Sequence, residues 1–202
     1  DRPIPSGRLS PGIASIESVL LLTAGVWLGF ALLHPAAGVA VGSAATLVAY
    51  NLWLKRVPGV GNAAVSALCG VAFVYGGVAV EALRPALIPA GFAALYHFGR
   101  EVLKDVQDMR GDPTGSSLAL RWGRRRASIL CLGVYGLLVL LTPVPFFIGL
   151  YGLRYAALIL ALDLLLVYLL RGVVSESCEV DLERTNRLLK IGMVLGLMAQ
   201  VN

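Results

Sequence analysis

The chain has 202 residues, of which 57% are hydrophobic and only 14% are charged, and its mean hydropathy is +0.79. So few charged residues could hardly form a water-soluble surface, so the composition excludes an ordinary soluble protein and indicates an integral membrane protein. The net charge of +5 fits loops that face cytosol and anionic headgroups, and gives little reason to expect nucleic acid as a partner.

Seven apolar stretches approach the roughly 20 residues that a helix needs to cross a bilayer. They lie at residues 13–33, 36–53, 63–80, 85–98, 127–142, 154–171 and 188–201. The sequence therefore predicts an all-α fold, a polytopic transmembrane helix bundle in one domain over residues 1–202. When the loops alternate between two sides, all but two of the 17 Lys and Arg residues share one side. The exceptions are Arg84 and Arg154, so that side is predicted to be the cytoplasmic face of the cytoplasmic membrane.

The first polar segment is DRPIPSGR at residues 1–8. It is predicted to be extended, because a proline disfavours helix in the residue before it. Arg2 and Arg8 supply fixed positive charge, and Ser6 lies beside a glycine whose backbone amide can reach an anion. These three residues are candidates for binding an anionic substrate.

A second polar segment, YNLWLKRVPGVGN at residues 50–62, joins two predicted spans. Tyr50, Lys55 and Arg56 end the earlier span, and Asn62 begins the later one. A lysine at such a position usually extends toward the headgroups. Lys55 becomes a ligand candidate only because of these polar neighbours.

The segment REVLKDVQDMRGD at residues 100–112 carries the most informative pattern of the chain. Four acids are spaced three or four positions apart, which puts them on one face of a helix. They are Glu101, Asp105, Asp108 and Asp112. Because such a row repels itself, it is best explained by a divalent metal, usually carrying phosphate, and the four acids are candidate metal ligands.

The alternative for this segment is a solvated helix end in which Arg100, Lys104 and Arg110 pair with the acids. Gly111 and Pro113 predict that the helix stops at the last carboxylate. The basic cluster at residues 121–126 would face the acids across a loop, although its charges are better explained as determinants of topology.

Two ionisable residues within the apolar stretches need separate interpretation. Asp163 falls in the middle of a predicted span, so it should face the bundle interior, and we favour a hydrogen bond to a neighbouring helix over substrate contact. His97 lies close to the acids, as either a helix-end residue or a functional one. The cysteines are too widely spaced for a metal cluster and imply no disulfide framework.

Taken together, the segments DRPIPSGR, YNLWLKRVPGVGN and REVLKDVQDMRGD resemble the UbiA superfamily of intramembrane prenyltransferases, and the resemblance covers essentially all 202 residues. In that family the third segment is the second aspartate-rich motif, D-x6-D-x3-D. Glu101 takes its first position in place of Asp, Asp108 its second and Asp112 its third, while Asp105 is an additional acid. The family pattern also has nine spans and a first aspartate-rich motif before RPIPSGR. We therefore expect seven of nine spans here, without that motif, and no activity from the chain as given.

The resemblance implies that a prenyl group moves from an allylic diphosphate to a lipophilic acceptor with the help of Mg²⁺. Asp108, Asp112 and Lys55 would be catalytic, and Lys55, Arg56, Arg8 and Lys104 would neutralise diphosphate charge. The forms R-E-x2-K-D-x2-D-x3-D and L-K-R-x-P-x2-G-N look most similar to the archaeal branch, which transfers geranylgeranyl to geranylgeranylglyceryl phosphate in ether-lipid synthesis. The alternative is the branch that prenylates 4-hydroxybenzoate in quinone synthesis.

The isoprenoid tail would lie among the spans, where aromatic residues could line a groove. The candidates are Phe73, Tyr75, Phe92, Tyr96 and Phe98. Two other classes of protein stay open from the residues alone. A transporter would explain Asp163 and the glycine-interrupted helices, but the acids gather at one membrane face instead of the midplane. A structural subunit would use the acidic helix to dock a partner.

Overall fold

The computed structural model describes residues 4, 6–32, 34–109, 117–174 and 182–200, and these residues form helices joined by short turns. The helices are α1 (Pro11–Leu32), α2 (His34–Leu52), α3 (Val60–Ala79), α4 (Leu83–Asp108), α5 (Leu118–Trp122), α6 (Arg124–Leu141), α7 (Val144–Phe147), α8 (Leu153–Val174) and α9 (Leu182–Gln200). A 3₁₀ turn at Leu54–Arg56 joins α2 to α3. The prediction of an all-α, polytopic helix bundle is confirmed.

Each of the seven predicted stretches overlaps one long helix. Within the described residues, five helical segments are long and apolar enough to cross a membrane: Pro11–Ala31, Pro35–Leu52, Val60–Ala79, Arg124–Phe147 and Leu153–Arg171. The other two long helices, α4 and α9, carry charged residues over one half of their length. The chain is therefore an integral membrane protein, while the number of seven spans stays a prediction.

Helices α3 and α4 approach each other unusually closely because small residues line their contact. A Cβ atom added to Gly70 would lie 2.6 Å from the backbone oxygen of Ala90, and one added to Gly77 would overlap the Cβ atom of Ala86. Ser66 lies one turn before Gly70 and is also buried. This contact fixes the first turn of α3 beside the C-terminal half of α4.

The main core lies between α4, α6, α8 and α9, and Tyr96 of α4 connects three of these helices. Its hydroxyl group donates to the backbone oxygen of Leu189 on α9 at 2.6 Å. Its own backbone oxygen accepts from the Tyr135 hydroxyl of α6 at 3.2 Å, and the two rings meet edge to face. The hydroxyl groups of both tyrosines therefore have hydrogen-bond partners, as buried phenols usually do.

A second polar cluster lies toward the other end of the bundle. The Thr142 hydroxyl, at the end of α6, donates to the carboxyl group of Asp163 on α8, whose two oxygens lie 3.1 and 3.0 Å away. Tyr155 donates to the backbone oxygen of Thr142 at 2.6 Å. Asp163 is only 8% exposed. The prediction that Asp163 faces the interior and bonds to a neighbouring helix is confirmed.

Candidate functional site

The C-terminal half of α4 presents its acids on one face and its apolar residues on the other. Glu101, Asp105 and Asp108 are partly exposed, whereas Val102 and Val106 are buried in the core. The helix continues unbroken from Leu83 to Asp108. The described part of the predicted acidic row is therefore helical and lies on one face. Asp112, and with it the predicted helix stop, lies outside the described residues.

Glu101 is paired with cations of its own helix. Its carboxylate lies 3.1 Å from Lys104 Nζ and 3.5 Å from Arg100 Nη1, and its side chain is 13% exposed. For this residue the pairing that we considered as the alternative is present. Lys104, a candidate for diphosphate binding, is thereby held beside the acids, where its charge also faces any anion that approaches them.

Asp105 joins three parts of the chain at one oxygen. Its Oδ2 atom accepts a hydrogen bond from Asn62 Nδ2 of α3 at 3.0 Å. The same atom accepts from the backbone N–H of Leu118, the first residue of α5, also at 3.0 Å. Asn62, which the sequence identifies as a substrate-binding candidate, is therefore engaged with an acid of the row.

The turn that carries Lys55 and Arg56 packs against the start of α3. A Cβ atom on Gly61 would lie 3.0 Å from the backbone oxygen of Leu54, 3.2 Å from the Cα atom of Lys55 and 3.5 Å from the Tyr50 ring. Gly59 has φ +81°, a conformation that glycine adopts without strain. The glycines of LKRVPGVGN therefore let Tyr50 and Lys55 lie against the first turn of α3, which contains Asn62.

The N-terminal candidates lie before α1. Arg8 Nε donates to the Ser6 hydroxyl oxygen at 3.1 Å, and α1 packs against α2. Arg2 lies outside the described residues. The structure thus brings Asn62, Glu101, Lys104 and Asp105 together, with Tyr50 at the end of α2 and Lys55 on the adjoining turn. It leaves Ser6 and Arg8 on the segment that enters α1.

An apolar cavity of about 130 Å³ lies between α3, α4, α6, α8 and α9. Its lining includes Phe73, Phe92 and Tyr96, as predicted, but not Tyr75 or Phe98. Sequence reasoning missed the walls from the last three long helices, namely Leu138, Thr142, Ile159, Leu162, Gly192, Met193, Gly196, Leu197 and Gln200. The local sequence feature that could have indicated these walls is the pair of glycines four residues apart on α9, Gly192 and Gly196.

The cavity comes within one helical turn of the acidic row. Cys69 and His97 line it. His97 lies one helical turn before Glu101, which places the two residues on one face of α4. The wall of the apolar chamber therefore lies next to the charges on the C-terminal half of α4.

The carboxylates suit a hard divalent cation by their chemistry. Among the described residues, no three His, Cys, Asp or Glu side chains converge on one point. Mg²⁺ does not require such a group, because it is usually held by one or two carboxylates together with substrate phosphates and water. The donors present on α4 therefore fit Mg²⁺ that arrives with a phosphorylated substrate.

Residues 1–189 match the UbiA prenyltransferase family, and the chain belongs to it. The protein is thus a membrane-embedded prenyltransferase, in a family that acts on a prenyl diphosphate and a lipophilic acceptor and generally depends on a divalent metal.

Its relatives include digeranylgeranylglyceryl phosphate synthases. The protein of Methanothermobacter thermautotrophicus is 32% identical, over 98% of this chain and 72% of its own length. That of Methanopyrus kandleri is 33% identical, over 98% of this chain and 73% of its own. A solved structure, described as giving insights into the biosynthesis of digeranylgeranylglyceryl phosphate synthase in membranes, superimposes with a TM-score of 0.78 at 30% identity. That match covers 99% of this chain and 72% of the other.

Proposed function

We propose that this enzyme transfers a geranylgeranyl group from geranylgeranyl diphosphate to geranylgeranylglyceryl phosphate, a step of ether-lipid synthesis. The observation that carries the proposal is an apolar cavity that lies next to acids and cations on the C-terminal half of α4. An allylic diphosphate has the same two parts, a long apolar tail and a multiply charged head. The names of the relatives support this choice of product.

In the proposed reaction the bond between C1 of the donor and the diphosphate oxygen breaks, and C1 joins the acceptor hydroxyl oxygen, which loses its proton. Positive charge develops on C1 while negative charge grows on the diphosphate. Mg²⁺ held by Asp108 and Asp112 would supply a Lewis acid for this leaving group. Glu101 is a further ligand candidate of the same row, whereas Asp105, the remaining candidate from the sequence, already accepts two hydrogen bonds from other parts of the protein.

The cationic residues of the site would take up the charge that remains on the diphosphate. Lys55 and Arg56 lie on the turn beside α3, Lys104 is held by Glu101, and Arg8 lies before α1. Fixed charges of this kind stabilise a leaving group without having to reorganise during the reaction. Arg2, Ser6, Tyr50 and Asn62 are proposed to bind the polar part of the substrates.

The apolar cavity is proposed to take part of the isoprenoid tail, with Phe73, Phe92 and Tyr96 along it. Aromatic ring faces in such a chamber attract a cation-like carbon and exclude water from it. We further propose that the enzyme resides in the cytoplasmic membrane with this site facing the cytoplasm, because the basic loops gather at that end. The single domain over residues 1–202 likewise stays a prediction.

The test is a transfer assay with the full-length protein in lipid vesicles and radiolabelled geranylgeranyl diphosphate. We expect labelled product with geranylgeranylglyceryl phosphate, none with 4-hydroxybenzoate, and loss of product when EDTA removes Mg²⁺. Product from 4-hydroxybenzoate alone would establish the aromatic-acceptor function instead. No product from either acceptor, together with metal-independent movement of a solute across the vesicle, would support a transporter.

A further inference from the structure

Asn62, Asp105 and Leu118 form a junction, called here the Asp105 junction, that connects the two polar segments of the site. We infer that Asp105 is a positioning residue whose carboxylate orders the site, and that it is not a ligand of the metal ion. The inference rests on the proposed function, since it assigns a role within that same site. It separates Asp105 from Asp108, although the sequence pattern treats the two acids alike.

The carboxylate of Asp105 accepts hydrogen bonds from two segments outside its own helix. Asp105 Oδ2 accepts two hydrogen bonds of 3.0 Å each, one from Asn62 on α3 and one from the backbone of Leu118. Neither donor belongs to α4. One oxygen atom therefore holds the start of α3 and the start of α5 against α4.

The start of α5 depends on side chains that accept hydrogen bonds from its first backbone N–H groups. The Ser117 side chain accepts a hydrogen bond from Leu120 N at 3.2 Å and so caps this short helix. The N–H of Leu118 is another first-turn donor that has no partner within its helix. Asp105 satisfies it. Loss of the carboxylate would leave a donor unpaired beneath a residue that is 2% exposed.

The turn that carries Lys55 is also connected to the Asp105 junction, through Leu118. The Leu118 side chain lies over Gly59, where an added Cβ atom would come within 3.1 Å of Leu118 Cδ1. Gly61 in turn packs on the backbone of Leu54 and Lys55. The cationic turn and α5 are therefore fixed to each other and, through the Asp105 junction, to α4.

The consequence concerns the spacing of the charged groups. Asp108 lies one turn beyond Asp105 on α4, and Lys55 lies on the turn that Leu118 covers. The described residues resume at Ser117, next to the junction. By holding the start of α5, Asp105 sets how far Lys55 and Ser117 lie from Asp108. An oxygen that accepts two hydrogen bonds performs this role whether or not its side chain is charged.

The experiment compares substitutions that keep or remove the acceptor. Asp105→Asn keeps an oxygen that can accept from both donors, whereas Asp105→Ala removes it. Asn62→Asp places two acids face to face, and the double variant Asn62→Asp with Asp105→Asn restores one amide and one carboxylate. Asp108→Asn is the matched control for a charge that the metal requires. Each variant is assayed in vesicles for turnover and for the Mg²⁺ concentration that gives half-maximal rate, and its folding is checked by size-exclusion chromatography.

We expect Asp105→Asn to keep its turnover within about threefold of wild type, with unchanged Mg²⁺ dependence, because the amide oxygen can accept both hydrogen bonds. Some loss is expected, since a hydrogen bond to a neutral acceptor is about half as strong. Asp105→Ala and Asn62→Asp should each lose about tenfold or more, and the double variant should recover most of the loss of Asn62→Asp, because the two sites are coupled. A folded Asp105→Asn that needs far more Mg²⁺, or is as inactive as Asp108→Asn, would overturn the inference, as would a double variant without recovery. Full-length wild-type protein without transfer activity would instead count against the proposed function.

Discussion

Asp105 and Asp163 are both carboxyl groups inside a membrane protein, and the structure gives them different surroundings. Asp105 is partly exposed in the C-terminal half of α4 and accepts from a side chain of α3 and a backbone N–H of α5. Asp163 is 8% exposed within α8 and accepts from Thr142 at the end of α6. The donors described for both acids are uncharged. Asp105 differs in its neighbours, since Glu101 and Asp108 share its helix face and Lys104 is paired with Glu101.

The comparison separates the hydrogen-bond donors that any buried carboxyl group needs from the additional charged neighbours that a functional carboxyl group has. Each acid has donors, because an unpaired polar group away from water costs free energy. Of these two acids, only Asp105 lies among further acids and cations that could bind a charged ligand. Asp163 therefore satisfies the requirement of folding, while the face of Asp105 and Asp108 has charge beyond what folding requires.

The largest effect that would test this comparison is expected at Asp108. Asp108→Asn removes one proposed ligand without changing the size of the side chain, so turnover should fall by about 10²-fold or more. The matched control is Asp163→Asn, which keeps an oxygen that can accept from Thr142 and should leave turnover nearly unchanged. The transfer assay in vesicles measures both, and equal losses in the two variants would remove the distinction between the two acids.

A smaller effect is expected from moving α3 relative to α4. In Gly70→Ala the new Cβ atom would lie 2.6 Å from the Ala90 backbone oxygen, so the helices must separate, at a cost of about 2–3 kcal/mol in the free energy of unfolding. This change should also lower turnover, because Asn62 would draw away from Asp105.

Gly76→Ala on the same helix is the control, since a Cβ atom there meets nothing within 4 Å. Denaturation in detergent and the transfer assay give the two readouts. If Gly70→Ala were as stable and active as Gly76→Ala, the α3–α4 contact would not be what places Asn62.

The smallest effect is expected in the polar cluster of Thr142 and Asp163. Thr142→Val leaves Asp163 without its hydroxyl donor and should lower the free energy of unfolding by about 1–2 kcal/mol. Adding Asp163→Leu should restore most of that loss, because removing both partners of a buried pair is often nearly neutral. Detergent denaturation of the single and double variants tests this. A double variant less stable than Thr142→Val would mean that Asp163 contributes through contacts other than this hydrogen bond.

Most of the long helices follow from apolar length alone, since a bilayer requires a backbone that satisfies its own hydrogen bonds. The acidic face of α4 follows from spacing alone, because residues three and four apart share a helix face. The inward direction of Asp163 likewise follows from the cost of an ionisable group in lipid. In each case the decisive interaction is local or is set by the solvent.

Contacts between distant segments could not be predicted in this way. Nothing in the spacing shows that Asn62 bonds to Asp105, or that Leu118 donates to the same oxygen, because these residues are 43 and 13 positions from Asp105. The cavity walls from α8 and α9 were missed for the same reason.

The sequence by itself determined an all-helical membrane protein with an acidic helix face and cationic turns at its basic end, because periodicity and hydropathy act over one or two helical turns. Only the tertiary structure decided which acid holds neighbouring segments in place and where an apolar chamber meets the charges. Those outcomes depend on contacts between separate helices, such as the close packing of α3 against α4 where Gly70 meets Ala90.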